Sequence, residues 1–243
     1  MHNLPNIVLF GLCLFGIISS IFVNFFGISH EKWIVSVGFM VFFALPSYIA
    51  LLRIDVKRAL ISIGALSLYA LVIETIAIQT GFPYGTFTYE SGLGPKMFGL
   101  VPFAVPFAWA PLVIGSYAAA KTFSKRFAIP VTALLLVCID VLIDPGAYTM
   151  KIWIWDPVGS FYGVPLQNFV GWFGSGVVGA SILQLGMGER IQKGNLTLLV
   201  ASAMGTIAFW LGIASQEYLT IPIITGVVLL YCAVVLLKAQ NQQ

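Results

Sequence analysis

The chain has 243 residues, 59% of them hydrophobic and only 9% charged, and its mean hydropathy is +0.98. So few charges cannot cover a water-facing surface, which excludes a soluble globule and places the chain in a bilayer. The net charge of +3 points to no nucleic-acid partner, because its Lys and Arg residues gather in the short segments between apolar runs.

Apolar runs of about 20 residues recur along the whole length, as spanning helices require, whereas a barrel would show short alternating segments. The reading is an all-α polytopic membrane protein with about eight transmembrane helices. They are expected over about 4–27, 33–52, 59–80, 98–120, 127–144, 164–187, 195–214 and 219–237. Together they form a single integral membrane domain over 1–243. The first run lacks a basic start and a small-residue cleavage site, so it is expected to stay as a helix and not to be removed as a signal peptide.

Cytoplasmic segments of membrane proteins collect Lys and Arg. One side here carries nine, Arg53, Lys57, Arg58, Lys121, Lys125, Arg126, Arg190, Lys193 and Lys238, and the other carries three, Lys32, Lys96 and Lys151. The expectation is a multi-pass cell-membrane protein with both termini cytoplasmic and with loops 81–97 and 145–163 on the outer side.

Several residues carry little. Cys13, Cys138 and Cys232 fall inside spans without CxxC spacing and read as small buried apolar residues. His2 and His30 are the only histidines, and His30 sits beside Glu31 and Lys32 in a short outer turn, where it reads as solvated. Asn195-Leu196-Thr197 matches a glycosylation sequon but falls on the side expected to be cytoplasmic.

Two loop-helix units look alike. Phe87-Thr88-Tyr89-Glu90 leads through Gly94 and Gly99 to Val101-Pro102, with Trp109 seven residues after the proline. Trp153-Ile154-Trp155-Asp156 leads through Gly159 and Gly163 to Val164-Pro165, with Trp172 again seven after the proline. Each unit follows a span with an embedded acid, Glu74 or Asp140. One reading is a parallel internal repeat, helices 3–4 and 5–6, around an axis along the membrane normal with a site between the units. The other is chance likeness of two aromatic interfacial loops.

Ionisable residues at membrane depth are costly and mark functional sites. Glu74 precedes Gly81 by seven residues, roughly 10 Å of helix, and Asp140 precedes Pro145 by five, roughly 7 Å. Both therefore belong to the outer leaflet. Asp140 and Asp144, spaced i, i+4, share a helix face, and Pro145 is expected to make Asp144 the helix end. Pro102 and Pro165 are expected to open the returning helices, while Pro106 and Pro111 distort the fourth span.

Burial disfavours an ionised carboxyl, and a neutral acid can donate a proton. Around the acids the sequence places Tyr84, Tyr89, Trp109, Trp153, Trp155, Tyr162 and Trp172, along with Tyr148, whose ring faces can stabilise a cation. Protonating a trisubstituted alkene, holding the tertiary cation on these rings and delivering water would hydrate it. No GxGxxG, P-loop or HExxH is present, so the expected chemistry uses no cofactor and no metal. Each residue also has a plainer role. Glu90 and Asp156 precede turns and can cap them, Asn168 and Trp172 can join helices, and the aromatics can form an interfacial belt.

The segments GFPYGTFTYESGLGPKMFGLVPFAVPFAW and DVLIDPGAYTMKIWIWDPVGSFYGVPLQNFVGWF resemble the carotenoid hydratase family of bacteria and archaea. The likeness is strongest over about 74–173, the expected catalytic region. The resemblance implies a membrane enzyme, a hydro-lyase of carotenoid biosynthesis that adds water across a terminal isoprenoid double bond to give a tertiary alcohol. Members act on the ψ ends of C40 carotenoids or on C50 bisanhydrobacterioruberin, and the motifs do not choose between them. The implied partners are a carotenoid within the bilayer, the lipid itself and other enzymes of carotenoid biosynthesis.

Roles for the acids come from the chemistry above. Asp140 or Glu74 would donate the proton and Asp144 or Asp156 would position water. Trp109, Trp155 and Trp172 would hold the cation, and Asn168 would orient the water or the product hydroxyl. Three other functions fit some of the same residues: a proton-coupled transporter, a noncatalytic carotenoid-binding or assembly subunit, and a carotenoid end-group cyclase. The transporter predicts polar groups continuing into the inner leaflet, where the inner halves of spans three to six show little beyond Ser and Thr.

Overall fold

A computed structural model of the chain describes residues 3–27, 33–90 and 92–240. His2, His30, Glu31 and Lys32 lie outside the described residues. Eight long helices follow in order: α1 (Leu4–Phe26), α2 (Trp33–Leu52), α3 (Val56–Thr80), α4 (Val105–Phe123), α5 (Ala128–Thr149), α6 (Leu166–Gly186), α7 (Leu196–Gln216) and α8 (Thr220–Gln240). All except α4 are long and apolar enough to cross a membrane. Pro106, Pro111, Ser116, Tyr117 and Lys121 make α4 less apolar, and it is enclosed by α2, α3, α5, α6 and α7. A helix walled by protein does not need a lipid-compatible surface all round.

Local signals set the helix ends. Asp55 caps α3 by accepting from the Arg58 amide (3.0 Å), and Gly81 closes the same helix in the left-handed conformation, φ +73°, that glycine adopts without strain. Asn195, the sequon asparagine, caps α7 by accepting from the Leu198 amide (3.0 Å). α7 is the most enclosed of the seven span-length apolar helices, with α1, α2, α4, α5 and α8 around it.

The structure corrects the sequence reading at several points. Residues 96–102 are not helical. They form a hairpin of β2 (Lys96–Met97) and β3 (Val101–Pro102), with Lys96 opposite Pro102, so the fourth helix starts at Val105 and not near residue 98. Pro102 lies in a strand, and it is Pro106 that occupies the first turn of α4, where a missing N–H is harmless. α5 does not end at Asp144 but runs through Pro145 to Thr149. Proline inside a helix costs about 3 kcal/mol. Here Pro145, Gly146 and Ala147 are buried, with Gly146 close to Trp210 and Ile213 of α7, and that packing offsets the lost bond.

Cys138 and Cys232 are exposed on the outer faces of α5 and α8, not buried. Near the basic end, Tyr117 donates to Gln184 (2.6 Å) and the buried Lys121 pairs with Glu189 (2.6 Å). Polar contacts in the half expected to be inner therefore extend beyond Ser and Thr.

The two look-alike loops also form short strands. β1 (Phe87–Tyr89) pairs antiparallel with β4 (Trp153–Trp155), placing Phe87 opposite Trp155, Thr88 opposite Ile154 and Tyr89 opposite Trp153. The pair is extended at both corners by backbone bonds from Glu90 N to Ile152 O and from Asp156 N to Thr86 O (3.0 Å each). This two-stranded unit joins the loop ends of α3 and α5 and forms one wall of the site.

Candidate active site

Because α5 stays helical past Asp144, Asp140 and Asp144 do share one face, one turn apart. The first turn of α6 brings Asn168 against that face. Its amide nitrogen donates to Asp140 Oδ2 (2.8 Å) and to Asp144 Oδ2 (2.6 Å), and all three side chains are buried. The two carboxyls thus share one amide nitrogen, and Asp140 Oδ1 finds no donor among the described residues. No cation is paired with either acid among the described ion pairs.

Glu74 projects from α3 on another side of the same space. Its Oε2 accepts from the Tyr89 hydroxyl (3.1 Å) of β1. Tyr84 is held twice, by a 2.6 Å hydrogen bond between its hydroxyl and Ser175 of α6 and by the Trp155 indole N–H, which donates to its carbonyl (3.1 Å). Tyr69 of α3 donates to the same Ser175 (3.0 Å). Burial first, then the nearby Glu74 carboxyl, push the Tyr84 and Tyr89 phenols above their ordinary range, which keeps both as hydroxyl donors. The Tyr84 loop reaches α6 only because residue 171 is glycine. A Cβ there would lie 2.6 Å from the Tyr84 ring and 2.8 Å from the Pro83 carbonyl oxygen.

These groups surround a cavity of about 420 Å³. Glu74, Asp144 and Asn168 supply its polar points, and Tyr84, Tyr89, Trp109, Trp153, Trp155 and Trp172 supply aromatic wall, so nine of the twelve sequence candidates meet there. Asp140 is not on the wall. It stands behind Asp144, fully buried, and reaches the cavity through Asp144 and Asn168. Asp156 is exposed and outside the lining, so the structure does not bring it to the other acids. Tyr162 is likewise outside, half-buried with its ring 4.9 Å from Phe161.

Sequence reasoning missed the far wall, Phe39 and Phe43 of α2 and Phe209 and Trp210 of α7. Trp210 lies near the end of its expected span, where tryptophan collects at the interface in any case, so its signal was indistinct. The phenylalanines had none, because they look like any lipid-facing residue. Ser175, which anchors two tyrosines, reads in the sequence as an ordinary small helix residue. Among the described residues no three His, Cys, Asp or Glu side chains are grouped so as to hold a metal ion. The arrangement thus offers two carboxyl groups to an apolar, ring-walled space: Asp144, backed by a second acid, and Glu74, which holds a phenol.

Comparison with known proteins places this geometry in context. The sequence model of a family described as "Carotenoid biosynthesis protein" matches residues 32–233. The bisanhydrobacterioruberin hydratase of Haloarcula japonica is 34% identical over 166 residues, which is 65% of this chain and 56% of that protein. The chain therefore spans little more than half the length of that curated relative. No solved structure matches.

Proposed function

The chain belongs to the carotenoid biosynthesis protein family, and from that premise we propose that it is a carotenoid hydratase, adding water to the terminal double bond of an acyclic carotenoid end to give a tertiary alcohol. The observation that carries this reading is that Asp144 and Glu74 both face one apolar cavity walled by tryptophan and tyrosine rings. A soluble substrate gains nothing from such a wall. An isoprenoid end does, and a cation formed on it would be stabilised by the ring faces and shielded from stray water.

The proposed sequence of steps balances without a cofactor. Two carboxyls joined by one amide, with no paired cation, are completed by a proton on one of them. Asp144, supplied from Asp140 behind it, gives that proton to the less substituted alkene carbon, and the remaining tertiary cation lies among Trp109, Trp155 and Trp172. Water, held by Glu74, adds to the cation, and Glu74 takes the released proton. Return of that proton to the aspartate pair resets the site, and the net change is one water added. Asn168 holds the two aspartates in register, and Tyr89 fixes the Glu74 carboxylate.

Further parts of the proposal concern the protein as a whole. The nine-to-three division of Lys and Arg supports cytoplasmic termini and a site in the outer leaflet. The β1–β4 register supports an internal repeat. A two-fold axis between Thr88 and Ile154 would exchange Phe87 with Trp153 and Glu90 with Asp156, and the two corner bonds, Glu90 to Ile152 and Asp156 to Thr86, are exchanged by the same operation. Glu74 precedes Phe87 by the same interval as Asp140 precedes Trp153. Other enzymes acting on the same pigment would be its neighbours in the membrane.

The relative's name gives the C50 substrate as one arm of the test and the ψ end of lycopene as the other. The chain is expressed in two nonpigmented bacterial strains engineered to make lycopene or bisanhydrobacterioruberin, and extracted pigments are separated and weighed. Gain of one water mass per modified end in either strain supports a hydratase and identifies its substrate. An isomer of unchanged mass carrying a ring would instead favour cyclisation. Unchanged pigment in both strains, with the protein present in the membrane, contradicts the proposal.

A further inference from the structure

We propose that the substrate enters sideways from the bilayer, end first, between the last turns of α1 and the first turns of α2, and that most of the polyene stays in lipid while its end reacts. This rests on the hydratase reading for the identity of the ligand. The route itself rests on the shape of the cavity.

Apart from Ala108 near the start of α4, the wall away from α1 and α2 is buried or half-buried, whereas Phe22 of α1 is 59% exposed and Val35 of α2 is 70% exposed although both line the cavity. The wall therefore meets the outside between the last turns of α1 and the first turns of α2. Both helices are long and apolar enough to cross a membrane, so an opening between their apolar faces is one that a lipid-dissolved chain can reach. Inward from it the wall continues through Val23, Phe39 and Phe43 towards Trp210 and the acids. On the loop side, Phe87, Tyr89 and Trp155 of the β1–β4 pair are buried and close the cavity.

Size completes the argument. A cavity of about 420 Å³ is on the scale that holds one small ligand. A rigid polyene that reaches across a bilayer core of about 30 Å does not fit inside it. The end group and the first few conjugated carbons fill the cavity, and the remainder must leave through the apolar mouth. Entry from water would also require the polyene to leave the phase in which it dissolves.

The test places a photo-crosslinking amino acid at Phe22 or Val35 in the full chain, in membranes of the carotenoid-producing strain. Ile34 and Leu68, which are exposed but off the cavity wall, are the controls. Adducts of pigment mass at 22 and 35, in about tenfold excess over 34 and 68, are expected. Equal pigment labelling at all four positions, or phospholipid adducts alone at 22 and 35, would overturn the route.

Adduct formation needs no turnover, so a chain that captures pigment at the mouth but converts none would sink the hydratase reading and leave the route standing. A second measurement uses Val35→Trp against Ile34→Trp. Filling the mouth should cut conversion of the long carotenoid by about tenfold while a short alkene with the same isoprenoid end is spared. Equal conversion of the long carotenoid by both variants would again overturn it.

Discussion

Of the aspartate pair, Asp144 meets the cavity, and Asp140 reaches it only through Asp144 and Asn168. That difference predicts a graded response. Asp144→Asn should lower turnover by about 10²-fold or more, the usual loss when a general acid is removed. Asp140→Asn should lower it less and leave pigment binding unchanged, measured as conversion and as pigment co-purified with the protein. Glu74→Gln keeps a partner for the Tyr89 hydroxyl but removes the proposed proton acceptor, so it too should bind pigment and convert it poorly. The aspartate pair was legible because i, i+4 spacing at membrane depth admits few other purposes. Asp156 was not separable from it, since a loop residue's direction is set by the turn that follows and not by any periodicity.

Among the elements, the long helices were legible because apolar runs of spanning length leave little choice. The start of α4 and the end of α5 were not. Proline rules describe an isolated helix, whereas Pro145 is tolerated because its surroundings pack tightly against α7. The two loops were recognised as alike, but their pairing as β1 and β4 is a long-range contact that local pattern does not encode. Gly171 tests how far that loop wall matters. Gly171→Ala drives a methyl into Tyr84 and Pro83 and should cost about 1–3 kcal/mol. It should appear as a lower melting temperature in detergent together with lost conversion. An unchanged melt would mean that the loop can shift away from α6.

At the scale of the whole molecule, acids and rings lie towards one end of the bundle and most positive charge lies at the other. The proposed cytoplasmic location of the termini predicts that a reporter fused at the carboxyl end is active only if it works inside the cell, and that a label unable to cross the membrane reaches a cysteine placed at Ser160 from outside. At the basic end, the Lys121 hydrogen bond holds the exposed Glu189 carboxyl below its ordinary range. A carboxyl with a depressed value stabilises the fold above its unfolded value and loses that contribution as pH falls through the folded one. Acidification should therefore lower the melting temperature, and Glu189→Gln should lower it at neutral pH while weakening this acid dependence.

The most direct measurement follows the proton and the oxygen. Membranes containing the protein convert the accepted carotenoid in deuterium oxide, and separately in water labelled with heavy oxygen under air. The account predicts one deuterium on the carbon next to each new carbinol, heavy oxygen in each new hydroxyl, and neither label with Asp144→Asn. A hydroxyl drawn from molecular oxygen, or a product without carbon-bound deuterium, would contradict acid-initiated hydration.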